Sequence, residues 1–158
     1  MDRLNLLVVE DGEEYTAMLT RFLTDAFAIT RAGDGADALR ALAVAPFDVV
    51  FLDMRFDRVP PDALLGDLAQ VAERFNGDPV RARHHLETNQ GTYVLDAIRA
   101  AGHRLPAVYS YDFDAEPRRW QVLQRRGAPV DYLPDNASAA VVRERLLRVA
   151  GRRSTSAP

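Results

Sequence analysis

Leu6-Leu7-Val8-Val9 runs straight into Glu10-Asp11, and Val49-Val50-Phe51-Leu52 runs straight into Asp53. Short, unbroken apolar runs of this kind fit strands covered on both faces, as in a parallel sheet. If the two strands lie side by side, their carboxyl ends bring Glu10, Asp11 and Asp53 together. Converging carboxylates cannot all stay ionised cheaply, so they call for a divalent cation. The pattern points to a reactive aspartate beside a Mg2+ cradle.

Outward from these runs the chain alternates. Tyr15, Met18, Leu19, Phe22, Leu23 and Ala26 keep a helical stripe. Ala28–Thr30 is a strand candidate, Gly33-Asp34-Gly35 a turn, and Ala36–Ala45 a helix stopped by Pro46. The last third repeats the rhythm, with helix Thr92–Ala101 ended by Gly102, strand Ala107–Tyr111 and helix Glu116–Arg126 closed by Gly127. Strand Val130–Leu133 and helix Ala137–Val149 follow, with Asp135 or Asn136 as the helix cap. Five strands alternating with five helices predict an α/β fold, a doubly wound parallel sheet.

The stretch from Phe56 to Gly91 exceeds what one strand–helix–strand unit of roughly 30 residues needs. It carries a helix of its own, opened by Pro60-Pro61 and bearing Leu64, Leu68, Val71, Ala72 and Phe75, until Asn76-Gly77-Asp78-Pro79 breaks it. We expect this helix to pack on the domain, because an exposed apolar helix is a liability. Arg81-Ala82-Arg83-His84-His85 reads as a solvated basic turn, and adjacent histidines without a third ligand do not make a metal site.

Composition narrows the function. The 158 residues suit one domain with a full core. A net charge of −3 gives no electrostatic case for nucleic acid, and no apolar stretch is long enough for a membrane. There is no cysteine, hence no disulfide and no thiolate chemistry. Met1 leads directly into a strand pattern without a signal peptide, so we expect a cytoplasmic, bacterial-type protein. The sequence has no lysine; all 20 of its Lys and Arg positions are Arg.

The order of these motifs resembles the receiver domain of two-component response regulators, the CheY-like family. "LLVVEDGEEY" (6–15) is similar to the family's first strand and acidic pair, and "DVVFLDMRF" (48–56) to its third strand with the phosphoacceptor. "LPAVYSYD" (105–112) resembles the fourth strand ending in a hydroxyl residue, and "GAPVDYLPDN" (127–136) the fifth strand. The resemblance covers residues 4–56 and 91–150. It implies a flavodoxin-like sheet of order 2-1-3-4-5 in a receiver-like domain over 1–150, with a helical insert at about 57–90 between strands 3 and 4. A disordered tail is expected over 151–158.

By that resemblance Asp53 accepts a phosphoryl group, and Glu10, Asp11, Asp53 and the backbone carbonyl of Arg55 hold Mg2+. Ser110 contacts the phosphoryl group, and Tyr132 is the aromatic that turns with the Ser110 loop. The partners implied are a sensor histidine kinase or phosphotransfer protein. A downstream protein would dock on Ala115–Arg126, Val130–Leu133 and Ala137–Val149, the fourth helix, fifth strand and fifth helix of the family pattern. The resemblance also allows a homodimer. Any enzymatic activity would be limited to self-phosphorylation and self-dephosphorylation at Asp53.

One position departs from the pattern. Where the family usually carries a lysine after the fifth strand, this chain has Asp135. An anion in place of a cation about 4 Å from a phosphate costs several kcal/mol at a dielectric of about 20. Either Asp135 turns away to cap the last helix, or an arginine (Arg55, or one from the insert) supplies the charge. Two further readings follow: a phosphorylation-independent pseudo-receiver acting as an interaction adaptor, and a metal-dependent phosphohydrolase. The latter normally has an acid/base aspartate where Arg55 stands.

Overall fold

Parallel pairing runs through the whole sheet of the computed structural model, which describes residues 2–155. The strands are β1 (Leu4–Val9), β2 (Phe27–Ala32), β3 (Val49–Asp53), β4 (Ala107–Ser110) and β5 (Val130–Leu133), in the order β2-β1-β3-β4-β5. The helices are α1 (Glu14–Phe22), α2 (Gly35–Val44), α3 (Leu68–Glu73), α4 (Pro79–Thr88), α5 (Gln90–Ala100), α6 (Pro117–Gly127) and α7 (Ala139–Thr155). This is the expected doubly wound, flavodoxin-like α/β sheet.

Successive residues of a strand face opposite sides, and the apolar runs therefore feed two cores. Leu6, Val8, Val49, Phe51 and Val108 pack with Leu19 of α1 and with Val142 and Leu146 of α7. Leu7, Val9, Val50, Leu52 and Tyr109 pack with residues of α2, α5 and α6 and of the insert. Each buried Leu or Val side chain contributes roughly 1.5–3 kcal/mol, which is what commits these runs to the sheet. The register pairs Val9 with Leu52 and Asp53 with Ser110, so the ends of β1, β3 and β4 finish level.

The insert differs from the expected single helix. A 3-10 turn at Pro61–Ala63 stops, Gly66 takes a φ of 109°, and α3 starts afresh with Asp67 as its cap. Only glycine adopts such a φ without strain, so the break lies in the sequence itself. Arg81–His85 is not a turn but part of α4: Asp78 accepts bonds from the amides of Val80 and Arg81, and Pro79 occupies the first helical turn. Asp-Pro at this point starts a helix rather than only ending one. As expected, the insert packs on the domain, with Leu64, Val71, Ala72, Ala82 and Leu86 in the second core.

Gln90 fastens the insert. Its buried amide donates to the carbonyls of Leu65 and Leu86 and accepts from the Leu65 amide. The last helix is capped by Ser138, whose hydroxyl accepts from the Val141 amide at 3.3 Å, rather than by Asp135 or Asn136. α7 continues helical through Thr155, where the sequence suggested a tail from 151; residues 156–158 lie outside the described residues. No helix among the described residues is long and apolar enough to cross a membrane.

Candidate functional site

Asp53 closes β3 at the level where β1 and β4 also end. Its carboxylate accepts one bond from the next amide, Met54 N, at 2.9 Å. Burial is the main reason its pKa is pushed up to about 7, and the negative charges of Asp11 and Glu10 add to it. Behind it, Gly91 at the start of α5 touches the Asp53 backbone: its amide donates to Met54 O at 3.0 Å. A Cβ there would fall 2.5 Å from Asp53 O.

Glu10 is buried and already occupied. Its carboxylate accepts from Thr16 N and Thr16 Oγ1, both at 2.6 Å, and from Tyr15 N at 3.2 Å. These bonds satisfy the open amides of α1, whose N-cap residue Glu13 provides no side-chain bond. Asp11 is freer, with one oxygen accepting from Arg58 N at 2.8 Å. Arg31 braces the loop beneath, its guanidinium donating to the carbonyls of Glu10, Asp11 and Gly12.

Asp11, Asp53, Arg55, Asp57, Arg58 and Asp135 line one cleft of about 520 Å³, together with Tyr15. Asp135 therefore faces the site instead of capping α7. Both nearby arginines have carboxylate partners: Arg55 pairs with Asp57 at 3.0 Å and Arg58 with Glu14 at 2.7 Å. Arg58, from the insert, touches Asp11 through its backbone amide. At the phosphohydrolase acid/base position, Arg55 offers a permanent cation that cannot trade protons near neutral pH.

Ser110 stands beside Asp53 in the sheet register, but its hydroxyl donates to the hydroxyl of Tyr15 at 2.7 Å. Tyr15 OH in turn reaches the carbonyl of Asp135 at 3.5 Å, and its ring packs edge-on against Phe51. Burial raises the Tyr15 pKa, with the charges of Asp53, Asp135 and Glu10 adding to it, so the hydroxyl stays protonated. Tyr132 lies outside the cleft in an aromatic cluster with Phe113 and Trp120. Its hydroxyl donates to Asp114, on the loop that begins just after Ser110.

Sequence reasoning missed three contributors. Tyr15 was one member of a helical stripe, Arg58 one arginine of an insert, and Gly91 a boundary. Gly91 alone left a usable signal, a glycine entering a helix next to a strand end, where close backbone approach is the common reason.

Among the described residues, no three His, Cys, Asp or Glu side chains stand close enough together to hold a metal ion. Glu10, the third acid of the set, has its carboxylate bonded to α1. Mg2+ does not demand such a cage; it is typically held by one or two carboxylates and keeps several waters. Asp11 and Asp53 on one cleft, with Asp53 destabilised as an anion, are a donor set that fits it.

No protein-family model and no curated protein matches this sequence. Solved structures do resemble it. A two-component response regulator from Clostridium difficile superposes with a TM-score of 0.65 at 15% identity, covering 98% of this chain and 100% of that one. The receiver domain of a Francisella response regulator gives 0.62 at 16% identity, covering 96% and 99%. The receiver domain of a sensor histidine kinase from Pseudomonas aeruginosa PAO1, with magnesium in its active site cleft, gives 0.60 at 18% identity, covering 95% and 99%. The fold is that of response-regulator receiver domains.

Proposed function

We propose that this chain is an atypical receiver protein of two-component signalling that accepts a phosphoryl group on Asp53. The observation that carries the reading is Asp53 itself, half-buried between Asp11 and Glu10 and level with Ser110, with its pKa raised to about 7. An Asp53 oxygen attacks the phosphorus of a phosphohistidine on a kinase or phosphotransfer protein. The P–N bond breaks, its electron pair stays on the imidazole nitrogen, and an aspartyl phosphate is left.

Mg2+, held by Asp11, Asp53 and the Arg55 carbonyl, would supply charge neutralisation at the transferring oxygens. Glu10 stays with α1 and acts on the site through its charge. Arg55 and Arg58 line the cleft where a lysine is missing, and either can swing from its exposed carboxylate partner to a phosphoryl oxygen. Ser110 exchanges Tyr15 for the phosphoryl group, and its loop carries that change through Asp114 to Tyr132. The output is a protein docked on α6, β5 and α7. Neither nucleic acid nor membrane enters this reading, and the expected compartment is the cytoplasm.

The test adds Mg2+ and beryllofluoride, an aspartyl-phosphate mimic, and follows amide spectra of wild type and Asp53→Asn. Shifts at Asp53, Ser110 and Tyr132 that vanish in Asp53→Asn are the expected result. Absence of any response to either ligand overturns it in favour of a second reading, a pseudo-receiver that binds partners without phosphotransfer. What favours that alternative is Asp135 in the cleft together with a Ser110 hydroxyl already bonded to Tyr15.

A further inference from the structure

The insert and α6 enclose a second cleft, of about 590 Å³, which shares no lining residue with the acid cleft. Its wall brings together Arg74 from the end of α3, His85 from α4, Tyr93 and Asp96 from α5, and Arg119 and Arg126 from α6. Three guanidiniums thus face one carboxylate. Asp96 is taken by Arg126 at 2.9 Å. Arg119 is fixed in place by Glu116 and the side-chain oxygen of Asn89, over the rings of Tyr111 and Phe113. Arg74 has no carboxylate partner among the described residues, and its guanidinium meets His85 Nε2 at 3.4 Å.

The groove also has an aromatic side. His85 and Tyr93 line it edge to face, 6.4 Å apart at 83°, with Phe75 packed behind His85 at 5.9 Å. Val122, with 54% of its surface exposed, forms the facing edge on α6. Burial, then the charges of Arg74 and Arg119, hold the His85 pKa below its usual value. His85 is thus a neutral ring in a field of positive charge. The volume falls within the roughly 300–1,000 Å³ of small-molecule sites.

We propose that this groove binds a phosphate-bearing, planar small molecule of nucleotide size. Its phosphates would be held by Arg74 and Arg126, and its ring would lie against Tyr93, His85 and Val122. Each guanidinium can take two oxygens, and a phosphate offers enough of them for two arginines at once whereas a carboxylate has only two. A net charge of −3 and a single small groove do not suit a polymeric nucleic acid. Such a ligand would tie the insert to α6 without involving Asp53. The inference stands independently of the reading of the acid cleft.

The test titrates the full chain with ADP and, separately, pyrophosphate in Mg2+-free buffer, by calorimetry and amide spectra. ADP is expected to shift Arg74, His85, Tyr93 and Arg126. Arg74→Glu is expected to weaken ADP at least about tenfold, and Arg126→Gln less. Both changes are on exposed side chains, and Arg74→Gln controls for folding with an intermediate loss. Pyrophosphate should bind more weakly than ADP; equal binding overturns the role of the rings. Shifts confined to Asp11 and Asp53, unchanged affinity in Arg74→Glu, or binding of a glutamate-rich peptide in place of ADP overturn the proposal.

Discussion

Asp11, Asp53 and Asp135 crowd one cleft at the strand ends, whereas Arg74, Arg119 and Arg126 crowd another between helices. The two clefts handle like charge differently. Asp53 is short and fixed by the sheet register, so it cannot leave its buried place or move away from Asp11, and burial first, then repulsion, raises its pKa. Arginines are long, and each folds onto a partner: Glu116 for Arg119, Asp96 for Arg126, the His85 ring for Arg74. Charge placed by strand ends is therefore held where the backbone puts it. Charge placed on helices relaxes, and responds to a ligand only by exchanging partners.

One element supports both clefts, and breaking it should abolish the contrast. α5 presents Gly91 to Asp53 and Tyr93 and Asp96 to the groove. Its far end is held by Arg99, a buried guanidinium that donates to the carbonyls of Gly127, His103, Leu105 and Pro129 at 2.8–2.9 Å. Arg99→Leu leaves those carbonyls without donors and should cost about 4 kcal/mol in urea unfolding. Both clefts should loosen together, seen as faster amide exchange in α5 and β5. A neutral effect would show that the four bonds are replaceable by water.

Gly91→Ala should separate the regions. The added Cβ must push α5 off the Asp53 backbone. The expected loss is about 2–3 kcal/mol from overpacking, partly offset by roughly 1 kcal/mol of helix propensity. Amide shifts should centre on Asp53 and Met54 and leave Arg119 and Arg126 unmoved. Equal disturbance of the groove would mean that the two clefts are mechanically one.

The same contrast explains what the sequence disclosed. Glu10, Asp11 and Asp53 were legible because each follows an apolar run, and a parallel sheet of such runs leaves few ways to arrange their ends. The sheet order came with the family resemblance, and the packing of the insert on the domain from the apolar stripe Leu64–Phe75 of the insert itself. The groove was not legible: Arg74, His85 and Arg126 come from α3, α4 and α6, separate elements that meet at one cleft beside α5, for which no local pattern stands. His84-His85 was set aside for lack of a third metal ligand, yet α4 is a helix and His85 lies in the groove. The occupation of Glu10 by α1 and of Ser110 by Tyr15 was equally hidden, because side-chain partners five and 95 positions apart leave no periodic trace.

The tension at Asp53 can be read from stability against pH. A carboxyl whose folded pKa lies near 7, against 3.8 as its ordinary value, binds more protons folded than unfolded between those values. Wild-type stability should therefore fall as pH rises from about 4 to 7 and level off above. Asp53→Asn removes that loss. It should be more stable than wild type by on the order of 2 kcal/mol at pH 8, after discounting for solvent in the cleft, and by nothing near pH 3. Mg2+ should narrow the gap by stabilising wild type alone. A constant difference at all pH values would place the effect in packing instead of charge.

Tyr15→Phe is the finest probe of how taut the acid cleft is. The ring against Phe51 is kept and only the hydroxyl leaves, so stability should change by no more than about 0.5 kcal/mol. The Ser110 hydroxyl then has no tyrosine to satisfy and is free to turn toward Asp53. If the Tyr15–Ser110 bond must break before a phosphoryl oxygen is bound, its net worth of roughly 0.5–1.5 kcal/mol is part of the barrier. Labelling of Asp53 by a small phosphodonor should then rise about threefold to tenfold, with the affinity for Mg2+ unchanged. Slower labelling would give Tyr15 the opposite role, a donor to the phosphoryl group that stands in for the missing lysine. No change would mean that Ser110 leaves Tyr15 without cost, and that the cleft is held taut by its carboxylates alone.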